Sequence, residues 1–328
     1  MCTAITVGGT SAIFGRTLDL ERSLGEGLVL AQRAAPIPGL AATDHPAILG
    51  TAILSGGAPL FFDAMSEHGL AAAALNFPCS AAYLADRAGK TNIPSYAFIP
   101  FILANAKSLA EAKHIAATLN VTPDSFAPDL PATPMHWMIS DGREAIVVEP
   151  RECGLVVYDS PCGVLTNEPP YDYQLRRLAD FRALTPADPE SRLRSPPPRI
   201  DSGGLGALGL PGDPSSTSRL VRAAYARAYT SSDGSEWGEV SRFFHIAETV
   251  AVPDGCSRDR SGNPTRTVYT CCYDLTHFAY YVRTYASHRL HSLAPVELDL
   301  FGGQTLAIPF PEGGCADPLP KPGHEIGA

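Results

Sequence analysis

Short runs of aliphatic and β-branched residues, interrupted by glycine and asparagine, fill the first half of the chain and predict sheet rather than helix. Residues 3–7 (TAITV) and 11–14 (SAIF) flank Gly8-Gly9-Thr10, the pattern of a hairpin at the chain start. That hairpin puts Cys2 at the end of an ordered strand. Further β-type runs lie at 27–31, 48–54, 58–63, 70–75, 136–141, 144–149, 154–158 and 162–166, several separated by turns such as Asp141-Gly142. Helical signals fall within 94–119, where Ser108 precedes LAEAKHIAATL and Glu111 follows three residues later as in a capping box. Helices are also expected at 218–229 and 236–250. Runs of β type return at 266–273, 278–285 and 294–299, so late strands should rejoin an early sheet, as in layered α+β folds.

Between these blocks, residues 184–215 are dense in Pro, Gly and Ser, and read as a long excursion from one domain covering 2–310. Residues 311–328 read as a poorly ordered tail. No internal repeat is visible. With 328 residues the chain can bury a sizeable core, and its 29 Gly and 30 Pro argue for many turns and against a helix bundle. A formal charge of -9 without any Lys/Arg run disfavours nucleic acid or an anionic membrane as partner and favours a small-molecule substrate. The longest apolar stretch, 69–85, is interrupted by Asn76, Pro78 and Ser80, so no membrane span is expected. The start lacks the basic opening and long apolar core of a secretory signal, which points to the cytoplasm. The eight cysteines include no CxxC pair and are expected to be reduced thiols, with neither metal nor cofactor.

Position two offers a specific chemistry. Removal of Met1 would leave a thiol and a free α-amine on one residue, Cys2. The unperturbed pKa values of an α-amine (about 7.7–8.0) and a thiol (about 8.5) are close enough for a proton to pass between them at small cost. The amine then serves as base for the nucleophile and as acid for the leaving amine. Position alone is weak evidence, since most cysteines behave as small hydrophobes. On the adjoining strand, Arg16 would favour the thiolate and Asp19 would accept a hydrogen bond from the α-ammonium. The competing reading of that pair is an ordinary surface salt bridge at a strand end.

The opening MCTAI…FGRTLDLE resembles the start of the choloylglycine hydrolase family, the bile salt hydrolases and penicillin V acylases among the N-terminal nucleophile hydrolases. EHGLAAAALNFP (67–78), MHWMISDG (135–142), VLTNEPPYDYQL (164–175) and GLPGDPSSTSRLVRAAY (209–225) resemble later family blocks in the same order. The resemblance implies a four-layer αββα sandwich with two stacked antiparallel sheets. It implies Cys2 as nucleophile, Arg16 and Asp19 beside it, Asn76 and Asn167 in the oxyanion hole, and Arg219 closing the polar network. Without it, Asn76 and Asn167 would read as turn residues. A papain-like pair would need a histidine, but His68, His136 and His245 read as structural, as do His277 and His288, and Cys79 reads as a packing thiol.

Both substrate classes of the family join an apolar acyl part to an anionic amine, so an apolar pocket is expected, with Leu18, Phe61, Phe62 and Met65 as its wall. Asparagine at position 76, where penicillin V acylases of this branch often carry tyrosine, tilts the resemblance toward conjugated bile salts. It also implies a homo-oligomer, up to a tetramer, although the segment around Ser195-Pro196-Pro197-Pro198 is unfamiliar.

Overall fold

The computed structural model describes residues 1–40, 44–191, 193–195, 203–294, 298–311 and 313. In chain order the strands are β1 (Cys2–Gly8), β2 (Ala12–Leu20), β3 (Gly27–Ala31), β4 (Ile48–Ser55), β5 (Ala58–Ser66), β6 (Ala71–Asn76), β7 (Thr91–Pro94), β8 (Leu119–Thr122), β9 (Met135–Ser140), β10 (Ala145–Arg151), β11 (Gly154–Asp159), β12 (Val164–Leu165), β13 (Ser257–Arg258), β14 (Pro264–Asp274), β15 (Ala279–Thr284), β16 (His291–Leu293) and β17 (Thr305–Pro309). The helices are α1 (Phe98–Asn105), α2 (Leu109–Thr118), α3 (Tyr171–Leu178), α4 (Ser216–Tyr229) and α5 (Glu236–Glu248).

The strands build two antiparallel sheets, one in the order β12-β1-β2-β14-β15-β16 with β13 on β14, the other in the order β11-β10-β9-β6-β5-β4-β3-β17. Phe98, Ile102 and Ala112 of α1 and α2 pack on Ile48, Ala72 and Trp137 of the second sheet. Helices α4 and α5 cover β1, β2 and β14 of the first. Between the sheets, Ala4, Phe14 and Leu18 meet Met65, Ala73 and Met138. The result is the expected four-layer αββα sandwich. Strand β1 is therefore covered on both sides, which is why CTAITV reads as a nearly continuous apolar run. Its alternation still sorts the side chains: Thr6 Oγ1 donates to Ser140 Oγ of the other sheet at 2.9 Å, whereas Thr3 Oγ1 accepts from Arg219 of α4 at 2.6 Å. Cys2 shares the sheet-facing side with Ala4 and Thr6.

Several elements differ from the sequence pattern. The helical stretch is two helices, the second capped by Ser108 Oγ, which accepts from Glu111 N–H at 3.2 Å. The Glu111 carboxylate in turn accepts from Lys107 N–H at 2.8 Å. Helix α3 passes unnoticed in sequence because eight residues after Pro169-Pro170 are too few for a 3.6-residue period to register. The last strand of the first sheet is His291–Leu293 rather than 294–299, of which 295–297 lie outside the described residues. Strand β17, not anticipated, pairs with β3 and joins the second sheet. Residues 192 and 196–202 of the Pro-rich excursion, and all of 311–328 except 311 and 313, also lie outside the described residues. No helix among the described residues is long and apolar enough to cross a membrane.

Candidate active site

Pairing of β1 with β2 sets Cys2 opposite Leu18 and Ala4 opposite Arg16. Arg16 and Asp19 are three residues apart on one strand, so they point to opposite faces of the sheet. Both side chains are 0% exposed, and each has a different partner, which replaces the surface salt bridge considered above.

On the helix side, Arg219 in the first turns of α4 gathers the network. Its Nη1 donates to Cys2 O and to Thr3 Oγ1 (2.6 Å), and its Nη2 donates to Asn167 Oδ1 at 2.8 Å. Asn167 Oδ1 also accepts from Cys2 N–H at 2.7 Å, while Nδ2 donates to the carbonyl of Asn76 at 2.9 Å. Two donors converging on one oxygen settle the orientation of that amide. The Asn167 backbone is held as well, by Ser216 Oγ at 2.9 Å and Gln174 Nε2 at 2.6 Å. Asp19 Oδ1 accepts from Thr267 Oγ1 at 2.6 Å. Its other oxygen, 4.0 Å from Arg219, is buried with no hydrogen-bond partner. Met1 continues the ladder one residue past Cys2, its ammonium donating to Asp19 O at 2.6 Å and its carbonyl accepting from Asp19 N–H at 2.8 Å.

On the sheet side, Arg16 Nη1 donates to the carbonyls of Ala74 (2.7 Å) and Phe62 (3.2 Å), and Nη2 has no partner. Burial opposes the Arg16 charge, but its acidic neighbours, Cys2 foremost and Asp63 among them, outweigh it and raise the guanidinium above its ordinary pKa. Arg219 moves the other way: burial lowers it, and Asp19 and Cys2 only partly compensate. Both guanidinium groups are 0% exposed and held by hydrogen bonds, the fixed geometry that preorganised electrostatics requires.

Asn76 ends β6 with its side chain exposed and its carbonyl tied to Asn167. Glu168 strengthens that link: its carboxylate accepts from Cys79 N–H (2.8 Å), Ser80 N–H (2.9 Å) and Ser80 Oγ (2.8 Å). Cys79, expected to be a packing thiol, is exposed and faces Arg260, because it sits on the turn after Pro78 and not in a strand. His136 is no base for Cys2: it stacks on Phe77 at 4.2 Å and its Nε2 lies 2.8 Å from Thr166 O. His68 and His245 are exposed.

Beyond the β5 and β6 carbonyls that hold Arg16 lies an apolar pocket with Leu60, Phe61, Phe62, Tyr96, Phe126 and Met135 in its wall, about 680 Å³ in empty volume when the solvent at its mouth is included. Phe61 and Phe62 line it. Leu18 and Met65 do not, because Leu18 stands across the hairpin from Cys2 and Met65 is paired with Leu49 in mid-sheet, buried between the layers. Sequence reasoning missed Thr3, Ser216, Gln174 and Glu168, although all four lie inside blocks already singled out. It also missed Thr267 and Asp63, for which no local signal exists.

Comparison with known proteins places these residues in a wider setting. The model of the linear amide C–N hydrolases, choloylglycine hydrolase family, matches residues 2–307. A bile salt hydrolase/transferase of Lactiplantibacillus plantarum is 39% identical over 301 residues, 90% of this chain and 92% of the relative. A bile salt hydrolase/transferase of Clostridium perfringens is 32% identical over 93% of this chain and 95% of the relative. The crystal structure of a conjugated bile acid hydrolase from C. perfringens superposes with a TM-score of 0.90 at 30% identity, covering 98% of this chain and 100% of that one. A penicillin V acylase from Agrobacterium tumefaciens shares the fold, with a TM-score of 0.72 at 20% identity over 93% of this chain and 90% of that one.

Proposed function

The chain belongs to the choloylglycine hydrolase family of linear amide C–N hydrolases, and from that premise we propose that it cleaves the amide bond of glycine- or taurine-conjugated bile acids with Cys2 as nucleophile. One observation carries the reading: Arg219 and Asn167 both close on the backbone of Cys2, so the network is centred on that residue.

In this reading, loss of Met1 frees the Cys2 α-amine. The amine takes the thiol proton, and the sulfur attacks the amide carbon. Negative charge developing on the carbonyl oxygen is met by N–H donors of the Asn76 and Asn167 segments, each worth about 2.7–4 kcal/mol. The C–N bond breaks as the α-ammonium returns its proton to the leaving amine. A thioester remains, and water activated by the same amine hydrolyses it to the free bile acid. Asp19 supports this cycle, since its unpartnered oxygen is a ready acceptor for the ammonium. Arg16 favours the thiolate from the sheet side. The apolar pocket suits a steroid acyl part. A working thiol needs a reducing compartment such as the cytoplasm, and the seven described cysteines are all free. A homo-oligomer is part of the same reading, and light scattering on the purified protein tests it.

The deciding experiment measures amino-acid release from paired glycine and taurine conjugates, with penicillin V alongside. Release of glycine or taurine is the expected result. Cleavage of penicillin V without such release would hand the site to the acylase class.

A further inference from the structure

A second buried carboxylate stands behind the site. Asp63 on β5 is 0% exposed and lies 3.7 Å from Arg16 Nη1. It accepts hydrogen bonds from Tyr269 Oη at 2.5 Å, from Tyr273 Oη, and from Cys271 Sγ at 3.2 Å. All three donors sit on alternate positions of β14, so they project from one face of that strand toward the other sheet. The carboxylate therefore bridges the two sheets directly behind Arg16.

A fully buried guanidinium without a counter-charge costs several kcal/mol. Arg16 has no other carboxylate in salt-bridge range among the described residues, since Asp19 points to the opposite face. Yet Asp63 is shared: its oxygens are engaged by two phenols and a thiol. Burial first, then Asp63, holds Tyr269 and Tyr273 well above the ordinary phenol value, so they remain protonated donors. Cys271 is likewise kept a thiol, by burial and then Asp63. Tyr280 of β15 completes the surroundings, 5.2 Å from the Tyr273 ring and bonded to Thr51 Oγ1 at 2.9 Å. The titratable groups facing Asp63 are thus Arg16, Tyr269, Cys271, Tyr273 and Tyr280. Three hydrogen-bond donors disperse the carboxylate charge, and the 3.7 Å separation is longer than a close ion pair, so part of the guanidinium field is left for what lies on its other side. Nη2 of Arg16, buried and without a partner, is the arm still free.

We propose that Asp63 is a positioning residue whose carboxylate, shared with Tyr269, Tyr273 and Cys271, fixes Arg16 and sets how strongly its guanidinium acts on the Cys2 sulfur. This rests on the reading of Cys2 as nucleophile, but its test needs no substrate. The rate of Cys2 alkylation by iodoacetamide is followed against pH on the Met1-processed protein. Mass spectrometry of the N-terminal peptide keeps the exposed Cys79, Cys153 and Cys256 out of the count. Asp63→Asn keeps the shape and removes the negative charge, so the alkylation midpoint should fall by about one pH unit. Tyr273→Phe removes one donor and returns carboxylate charge to Arg16, so the midpoint should rise. Opposite shifts are what a merely structural role would not produce. An unmoved midpoint in Tyr273→Phe overturns the proposal even where Asp63→Asn fails to fold, and an unmoved or raised midpoint in a folded Asp63→Asn does the same. Midpoints that shift as expected in a protein releasing no amino acid from bile conjugates would sink the functional reading and leave this inference standing.

Discussion

The two faces of strand β2 hold buried charges in different ways. Toward the opposite sheet, Arg16 is anchored to main-chain carbonyls of β5 and β6, atoms that cannot rotate away. Toward α4, Asp19 is held at one oxygen by Thr267 and left unpartnered at the other, with Arg219 at 4.0 Å. One face presents a fixed cation and the other an acceptor that still lacks its proton donor. Cys2 lies between them, its side chain on the Arg16 face and its backbone nitrogen in the Asn167 and Arg219 network. Under the proposed mechanism this becomes a division of labour: the sheet side would act on sulfur, and the helix side on nitrogen.

The largest effect expected is on the residue shared by both faces. Cys2→Ala should abolish amide cleavage, and Cys2→Ser should retain a small remnant, because an alcohol is a weaker nucleophile with the same amine beside it. Intact mass of the active protein should lack one methionine, and full turnover by a protein retaining Met1 would remove the amine from the mechanism. Next come the two faces separately. Asp19→Asn should lower kcat about 10²–10³-fold, in the range for losing one preorganised electrostatic contact. Its pH profile should change on the limb that reports the α-amine. Arg16→Lys keeps a charge but loses the two carbonyl anchors, and should instead move the limb that reports the thiol. Identical profiles for the two variants would erase the distinction between the faces.

How much of this was legible beforehand follows the range of the interactions. The hairpin, the capping of α2 by Ser108, and the late strands returning to β2 are written in local patterns and turn residues. So are Cys2, Arg16 and Asp19, which share one hairpin. That Arg16 and Asp19 face opposite ways follows from their odd spacing, but what each meets does not. Asp63 is 47 positions from Arg16 and more than 200 from Tyr269, so no window of sequence holds both. Thr267 reaches Asp19 across 248 positions in the same way. Met65 lies between the sheets and not at the apolar pocket, which sequence could not tell for a related reason: alternation says that a residue faces inward but not which of two apolar interiors it faces.

A smaller effect should follow at the seam between the two asparagine segments. Glu168 is bonded to the turn after Asn76 and adjoins Asn167 in sequence, so it keeps the two asparagine segments in register. Glu168→Ala should reduce kcat by up to about a hundredfold through misplacement, with KM changed little. Glu168→Gln retains an acceptor and should recover part of the loss. A rise in KM at constant kcat in Glu168→Ala would reassign the residue to substrate binding.

The smallest effect serves as an exposed control for the buried pairs. His277 lies 2.8 Å from Asp274 Oδ2, with its own side chain 45% exposed. The hydrogen bond to Asp274, opposed by burial and helped by the charges of Asp274 and then Glu236, raises the imidazole above 6.5. Because the folded value lies above the unfolded one, the stabilisation is fully present below about pH 6.5 and is lost as pH rises through the raised folded value. At so exposed a site it should amount to less than about 1 kcal/mol and fall with added salt. Melting temperatures of the protein and of His277→Gln should therefore differ more at pH 5.5 than at pH 8.5, while catalysis at the distant Cys2 is unchanged. An equal gap at both pH values would mean that the pair contributes through packing and not through charge, as neither buried pair around Cys2 is expected to do.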